Sequence, residues 1–89
     1  MAEAPRTAVA LAYDVGDLAP RVVAKGHRET AEAILKAARE AGVPVREDDG
    51  LAKLLMVVPL DDHIPPALYV AVAEVLAWLH RTERLRGLA

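Results

Sequence analysis

The stretch IPPALYVAVAEVLAWLHR, from Ile64 to Arg81, decides the fold more than any other part of this chain. Proline is tolerated in the first turn of a helix, so we predict a helix that begins near Pro65-Pro66 and runs to about Arg84. One stripe of this helix repeats at helical spacing and should face the core. That stripe consists of Leu68, Val72, Val75 and Leu79.

The faces beside this stripe are also apolar, and Glu74 is the only charged residue between Leu68 and Leu79. The surplus apolar residues are Tyr69, Val70, Ala73, Leu76 and Ala77. A single buried stripe does not need so many. Either the helix is central and covered on several sides, or it exposes an apolar strip suited to a partner.

Two short apolar runs precede this helix in the sequence and read as strands. The first, TAVALAY from Thr7 to Tyr13, ends at a turn that contains Gly16. The second, Arg21 to Lys25, is rich in valine, follows Ala19-Pro20 and ends at Gly26. Because the link between them is short, we predict an antiparallel hairpin.

Between the hairpin and the last helix, residues 28–41 have helical spacing, and Gly42 forms a stop signal. Residues 43–46 read as a third strand, joined to the second by a right-handed parallel crossover. Asp48 or Asp49 can cap a helix from Leu51 to about residue 57. We therefore predict an α/β fold, with a small mixed sheet of about three strands (the hairpin plus a parallel β-α-β crossover) packed with three to four helices.

Composition excludes several classes of protein. Eighty-nine residues, 54% of them hydrophobic, suggest one compact domain. A formal net charge of -2 gives no reason to expect nucleic acid as a partner. No signal peptide is recognisable, and the apolar stretch from Leu68 to Leu79 is shorter than the ~20 residues that a bilayer requires. We expect a cytoplasmic location without membrane insertion.

The chain contains no Ser, Asn, Gln or Cys, so the usual catalytic nucleophiles reduce to three threonines. Hydrolase triads and zinc-thiolate sites are therefore not expected. The run Asp61-Asp62-His63 could hold a hard cation, but adjacent carboxylates before a helix more often act as caps and turn residues. Lys25-Gly26-His27 could bind an anion, but a plain turn glycine is the simpler interpretation. We expect neither a metal nor a cofactor.

Three stretches of the chain carry a family resemblance: AVALAYD at Ala8 to Asp14, APRVVAKG at Ala19 to Gly26, and the helix quoted first. The segments AREAGVPV and LAKLL lie between them in the same order. Together they resemble the C-terminal cytoplasmic domain of the FlhB/YscU family, the export-apparatus switch proteins of flagella and type III secretion. The resemblance covers about residues 8–81. It implies a stand-alone homologue of that domain, with an N-terminal arm at 1–7, a domain at 8–84 and a tail at 85–89.

In that family, the domain cuts its own backbone within an Asn-Pro-Thr-His motif that lies just before the strand resembling Ala8 to Tyr13. The positions of this chain that align with the motif are Glu3, Ala4, Pro5 and Arg6. Neither the reactive asparagine nor the histidine is there. The resemblance therefore implies that this chain does not cleave itself and is not an enzyme.

The resemblance also implies a binding role. The family's apolar pocket for early export substrates falls on Ala19 and Pro20, with Ala73 and Leu76 from the last helix. The partners implied are hook- or rod-type export substrates and export-gate proteins, met by a monomer recruited to the cytoplasmic face of the membrane export gate. The alternatives are that Ala73 and Leu76 merely pack against the loop at Ala19-Pro20, or that the chain complements a truncated switch-protein homologue through its sheet edge.

Overall fold

The computed structural model describes residues 7–14 and 16–88, with side chains described as far as Arg81. In these residues a two-stranded antiparallel sheet is accompanied by three α-helices. The strands are β1 (Thr7–Ala12) and β2 (Arg21–His27), and the helices are α1 (Arg28–Glu40), α2 (Asp49–Leu55) and α3 (Tyr69–Leu88). A 3₁₀ turn at Pro66–Leu68 leads into α3. The predicted arm at 1–7 lies outside the described residues except for Thr7, which begins β1, and the predicted tail boundary at 84 stays a prediction.

One face of the sheet carries the larger apolar side chains and packs on the core. Val9 lies opposite Lys25 and Leu11 opposite Val22, so these four side chains share a face. Val22 is completely buried there, and Val9 and Leu11 pack against the same cluster. The buried members of this core are Ala19, Val22, Leu51, Leu55, Val58, Ile64 and Val72. The core therefore joins the sheet to α2 and α3.

The other face of the sheet carries only small residues over its regular part, and α1 packs on both strands. Ala8 lies opposite Gly26, and Ala10 lies opposite Ala24. A Cβ atom at Gly26 would overlap the side chain of Thr30 in the first turn of α1. The absence of side-chain bulk on this face is what allows the helix to approach the strands so closely.

Helix α1 ends as the sequence predicted, at a glycine. Gly42 has a φ of 74°, the left-handed conformation that ends many helices. Its N–H donates to the carbonyl of Arg39 at 3.2 Å, and the N–H of Val43 donates to the carbonyl of Ala38 at 2.8 Å. These two bonds form a Schellman motif, which satisfies carbonyl groups that the end of a helix otherwise leaves unpaired.

Helix α2 begins at the predicted cap. The side chain of Asp48 accepts a hydrogen bond from the N–H of Leu51 at 3.0 Å. At the other end of α2, Lys25 reaches across from β2 and its Nζ donates to the carbonyl oxygens of Met56 and Val58 at 2.9 and 2.7 Å. A cation at the C-terminal end of a helix is favourable, so Lys25 anchors this end of α2 to the sheet.

The prediction of a third strand at residues 43–46 is wrong. Residues 43–48 form neither strand nor helix. Pro44 has no N–H to give to a ladder, and the N–H of Val43 is taken by the end of α1. The outer edge of β2 is instead occupied by residues 61–64, which make an antiparallel bridge between Arg21 and His63. No parallel crossover exists in the described residues.

Candidate functional site

A small apolar groove opens between α3 and the loop that enters β2. Its volume is about 130 Å³. The groove is built from two separated parts of the chain, residues 13–20 and residues 64–76. Its walls consist of Tyr13, Leu18, Ala19, Pro20, Ile64, Tyr69, Val72, Ala73 and Leu76.

Backbone hydrogen bonds hold the two parts of this groove together. The N–H of Ile64 donates to the carbonyl of Pro20 at 2.9 Å. Val22 donates to the carbonyl of Asp62 at 3.0 Å and accepts from the N–H of Asp61 at 2.7 Å. A turn from Pro59 to Asp62, with Asp61 at a φ of 70°, brings this segment back alongside β2. The start of α3 is thereby fixed beside the loop at residues 19–20.

All four residues predicted for the binding pocket line this one groove. Ala19 and Pro20 are buried and form its floor on the loop side, Ala73 is exposed on α3, and Leu76 is half-buried. Leu76 also packs against the core. Leu76 thus both lines the groove and packs against the core, whereas Ala73 lines the groove and is exposed.

The sequence-based reading missed five residues of the groove. Leu18 is the most conspicuous of them, because its side chain is 95% exposed at the rim. The others are Tyr13, Ile64, Tyr69 and Val72. A single leucine in a polar turn, between Asp17 and Ala19, was the available signal, since a solvated turn gains nothing from a leucine.

The first turns of α3 expose an apolar strip, which was one of the two alternatives that the sequence left open. Val70 is 78% exposed and Tyr69 is 44% exposed. Ala73 and Ala77 are exposed as well. On the opposite side, Val72 is almost fully buried in the core. In its first two turns, α3 thus buries one side in the core and exposes apolar residues on another side.

The groove offers contact area and shape, not charge. No charged side chain is among its lining residues, and its only side-chain polar groups are the hydroxyls of Tyr13 and Tyr69. Within the described part of the chain, no group of three or more His, Asp or Glu residues is placed to hold a metal ion. An arrangement of this kind can bind an apolar side chain reversibly.

A second cavity adjoins the groove and has a different character. Its volume is about 320 Å³, and its walls are Gly16, Asp17, Leu18, Ala19, His63 and Tyr69. Leu18, Ala19 and Tyr69 belong to both cavities. One carboxylate oxygen of Asp17 accepts a hydrogen bond from the N–H of Asp14 at 2.9 Å, which holds the carboxylate at the cavity wall.

Comparison with known proteins relates the chain to one family. Residues 4–79 match the model of the family described as FlhB HrpN YscU SpaS. The chain is 46% identical over 79 residues to the uncharacterized protein YlqH of Bacillus subtilis, covering 88% of this chain and 85% of YlqH. It is 44% identical over 80 residues to the flagellar biosynthetic protein FlhB of Escherichia coli, covering 88% of this chain but 21% of FlhB. The chain therefore spans about a fifth of the FlhB relatives.

Solved structures show the same architecture. The cytoplasmic domain of FlhB from Shewanella putrefaciens superimposes with a TM-score of 0.84 at 33% identity, covering 90% of this chain and 67% of that one. The PscU C-terminal domain superimposes with a TM-score of 0.79 at 34% identity, covering 83% and 96%. These likenesses confirm the predicted α/β class. No helix in the described residues is both long and apolar enough to cross a bilayer.

Proposed function

Since the chain belongs to the FlhB, HrpN, YscU and SpaS family, as its sequence predicted, we propose that it is a non-catalytic binding module of the flagellar or type III protein export apparatus. It works in the cytoplasm, at the cytoplasmic face of the membrane export gate. Its ligands are hook- or rod-type export substrates or components of the gate. The binding site is the groove that contains Ala19, Pro20, Ala73 and Leu76.

The observation that carries this proposal is an apolar groove that stays open at the surface of the domain. Val70 and Leu18 are among the most exposed large hydrophobic residues, and both lie at or beside the groove. Exposed apolar groups of this kind cost solubility, and they are typical of surfaces that meet a partner. The tyrosines at the rim suit the same role, because tyrosine gives a large contact area with few rotatable bonds.

The mechanism is reversible docking of a short hydrophobic segment. A groove of about 130 Å³ has room for an apolar side chain but falls below the roughly 300–1,000 Å³ of a site for a drug-sized ligand. Because the groove offers few anchoring contacts, we expect a dissociation constant in the micromolar range or weaker. This corresponds to a binding free energy no more favourable than about -8 kcal/mol. Weak binding suits a module that must release each substrate.

We propose a non-catalytic role because both the chain and the groove lack the side chains that catalysis usually needs. The chain has no Ser, Cys, Asn or Gln, and the lining residues of the groove include no acid or base at its walls. General acid–base or nucleophilic chemistry needs such a group within hydrogen-bond reach of the reacting atoms. The positions that align with the family's self-cleavage motif, Glu3 to Arg6, carry neither of the reactive residues.

The test is the affinity of purified hook- or rod-type substrate from the same organism for three variants, measured by calorimetry. Ala73→Asp places a carboxylate in the groove at an exposed position, and Leu18→Ala removes an exposed apolar side chain from its rim, so the fold should survive both changes. We expect Ala73→Asp to weaken binding about tenfold or more, because an apolar ligand group would leave the carboxylate desolvated and unpaired, and Leu18→Ala to weaken it less, through the loss of an apolar contact. Val57→Asp is the matched control, since Val57 is 81% exposed and does not line the groove.

Equal affinities for all three variants and the unmodified chain would contradict the proposed site. So would a loss of binding in Val57→Asp as large as that in Ala73→Asp, because the effect would then be one of surface charge. Circular dichroism confirms that each variant is folded before its affinity is measured.

A second candidate function is supported by the free edge of β1. Both the N–H and the carbonyl of Val22 face residues 61–62, away from β1. Leu11, which lies opposite Val22, must therefore direct its own backbone groups to the outer edge, because opposed residues of an antiparallel pair point both inward or both outward. In the described residues, no backbone hydrogen bond is made at this outer edge of β1. A truncated homologue that supplies a strand could pair there, and Ala73→Asp would not affect that binding.

A further inference from the structure

We propose that the apolar groove is one half of a two-part site, and that the adjoining cavity at Asp17 takes a Lys or Arg side chain of the same bound segment. This inference rests on the proposed docking function. It adds a requirement for charge to a groove that, by itself, recognises only apolar groups.

The two cavities lie next to each other, so one bound segment can contact both. They share the walls formed by Leu18, Ala19 and Tyr69. Beyond these walls the groove is lined by residues without charge, whereas the second cavity is lined by Gly16, Asp17 and His63. A segment lying along the surface past Leu18 therefore leaves an apolar environment and meets a polar one.

The charge at the second cavity favours a cation. Asp17 is the only carboxylate at its walls, and no Lys or Arg lines either cavity in the described residues. One oxygen of Asp17 is held by the N–H of Asp14, and the other accepts no hydrogen bond from the described residues. Asp17 is half-buried, so an incoming cation meets a carboxylate that is partly shielded from water and already oriented.

Arg21, the basic residue nearest to Asp17 in the described sequence, does not pair with it. Arg21 lies opposite His63 in the antiparallel bridge, so its side chain is on the same side as a wall of the second cavity. In the described residues it nevertheless makes no hydrogen bond or ion pair with Asp17, and its Nε is buried without a hydrogen-bond partner. Within the described part of the chain, the carboxylate of Asp17 therefore has no cationic partner.

The shared walls suit the stem of a basic side chain. Leu18 is almost fully exposed, and the ring of Tyr69 is partly exposed beside it. Lys and Arg pack their methylene groups on apolar surface while keeping the charged end in a polar environment, and Arg also stacks on aromatic rings. The cation would then lie at Asp17 with its stem across Leu18 and Tyr69.

The two cavities share three lining residues, so the groups that occupy them must lie close together in the bound segment. The substrate class is thus an unstructured protein segment with an apolar residue and, within a few positions of it, a Lys or Arg.

A phage-displayed library of short random peptides, panned against the purified chain, tests this inference. We expect the selected peptides to contain an apolar residue, with Lys or Arg within a few positions of it enriched about threefold over the unselected library, the size of effect typical of a partly exposed ion pair. The same library is panned against Asp17→Asn, which keeps the size of the side chain and removes its charge. The apolar preference should remain in that variant, and the basic preference should disappear.

Two other outcomes separate the inference from the function on which it rests. Apolar enrichment without a basic preference, or a basic preference that Asp17→Asn retains, would overturn the two-part site and leave the docking role intact. No apolar enrichment, or enrichment that Ala73→Asp retains, would overturn the docking role and this inference with it.

Discussion

Gly42 shows at a single residue how this chain ends a helix and redirects the backbone. Its φ of 74° is a conformation in which a side chain costs about 1–2 kcal/mol. Gly50 does not need to be a glycine. It lies in the first turn of α2, and a Cβ atom there would meet only Asp48, at an ordinary contact distance of 3.6 Å. The two glycines therefore form a matched pair.

We expect Gly42→Ala to lower the free energy of unfolding by about 1 kcal/mol, and Gly50→Ala to leave it unchanged or raise it by up to about 1 kcal/mol. For a domain of this size, 1 kcal/mol corresponds to a shift in melting temperature of about 4–8 °C. Thermal unfolding followed by circular dichroism measures both variants. Equal melting temperatures for the two would show that the end of α1 is not under the constraint described above.

The residues of the groove were predictable to different degrees. Ala73 and Leu76 could be proposed because the last helix has more apolar residues than one buried stripe needs, and the family resemblance pointed to the same positions. For Leu18 the sequence offered only a weak signal, an isolated leucine in a turn, because its place at the rim also depends on the approach of α3. That approach is a tertiary contact, and periodicity in the sequence does not encode it.

At the scale of elements, the hairpin and the helices followed from local signals, whereas the third extended segment did not. Valine at positions 43 and 45 has high strand propensity, but Pro44 between them cannot complete a ladder. Residues 61–64 contain two aspartates, yet they occupy the edge of β2 through three backbone hydrogen bonds. Strand pairing over such a distance in sequence is decided by which backbone groups the fold brings together, and side-chain type is a weak guide to it.

The arrangement of β1 predicts an alternating pattern of amide hydrogen exchange. The N–H groups of Val9 and Leu11 should point to the free edge, and that of Ala10 should point to β2. We expect Val9 and Leu11 to exchange about tenfold faster or more than Ala10 in the isolated chain, measured by NMR in D₂O.

Addition of a partner that supplies a strand would slow the exchange of Val9 and Leu11 selectively, which makes this experiment a test of the second candidate function. Uniform protection along β1 in the isolated chain would contradict the free edge and remove the basis for strand addition.

At the scale of the whole molecule, the groove depends on the fold as a unit. Its two walls come from residues 13–20 and 64–76, and the contacts that join them run through β2 and the segment at 61–64. The core that supports the groove is aliphatic and includes residues from β2, α2 and α3. A substitution that loosens this core is therefore expected to weaken binding indirectly. A measured affinity alone does not separate such an effect from the loss of a contact in the groove, whereas a spectrum that reports on each residue of the bound chain does.

Docking at the groove is tested directly by a titration of the ¹⁵N-labelled chain with a purified hook- or rod-type export substrate, followed by two-dimensional NMR. We expect chemical-shift changes to concentrate at residues 17–20 and 69–76 and residues 9–11 to be unaffected. Changes confined to residues 9–11 would show that the sheet edge is the contact surface, and an unchanged spectrum at millimolar substrate would contradict a docking role for this groove.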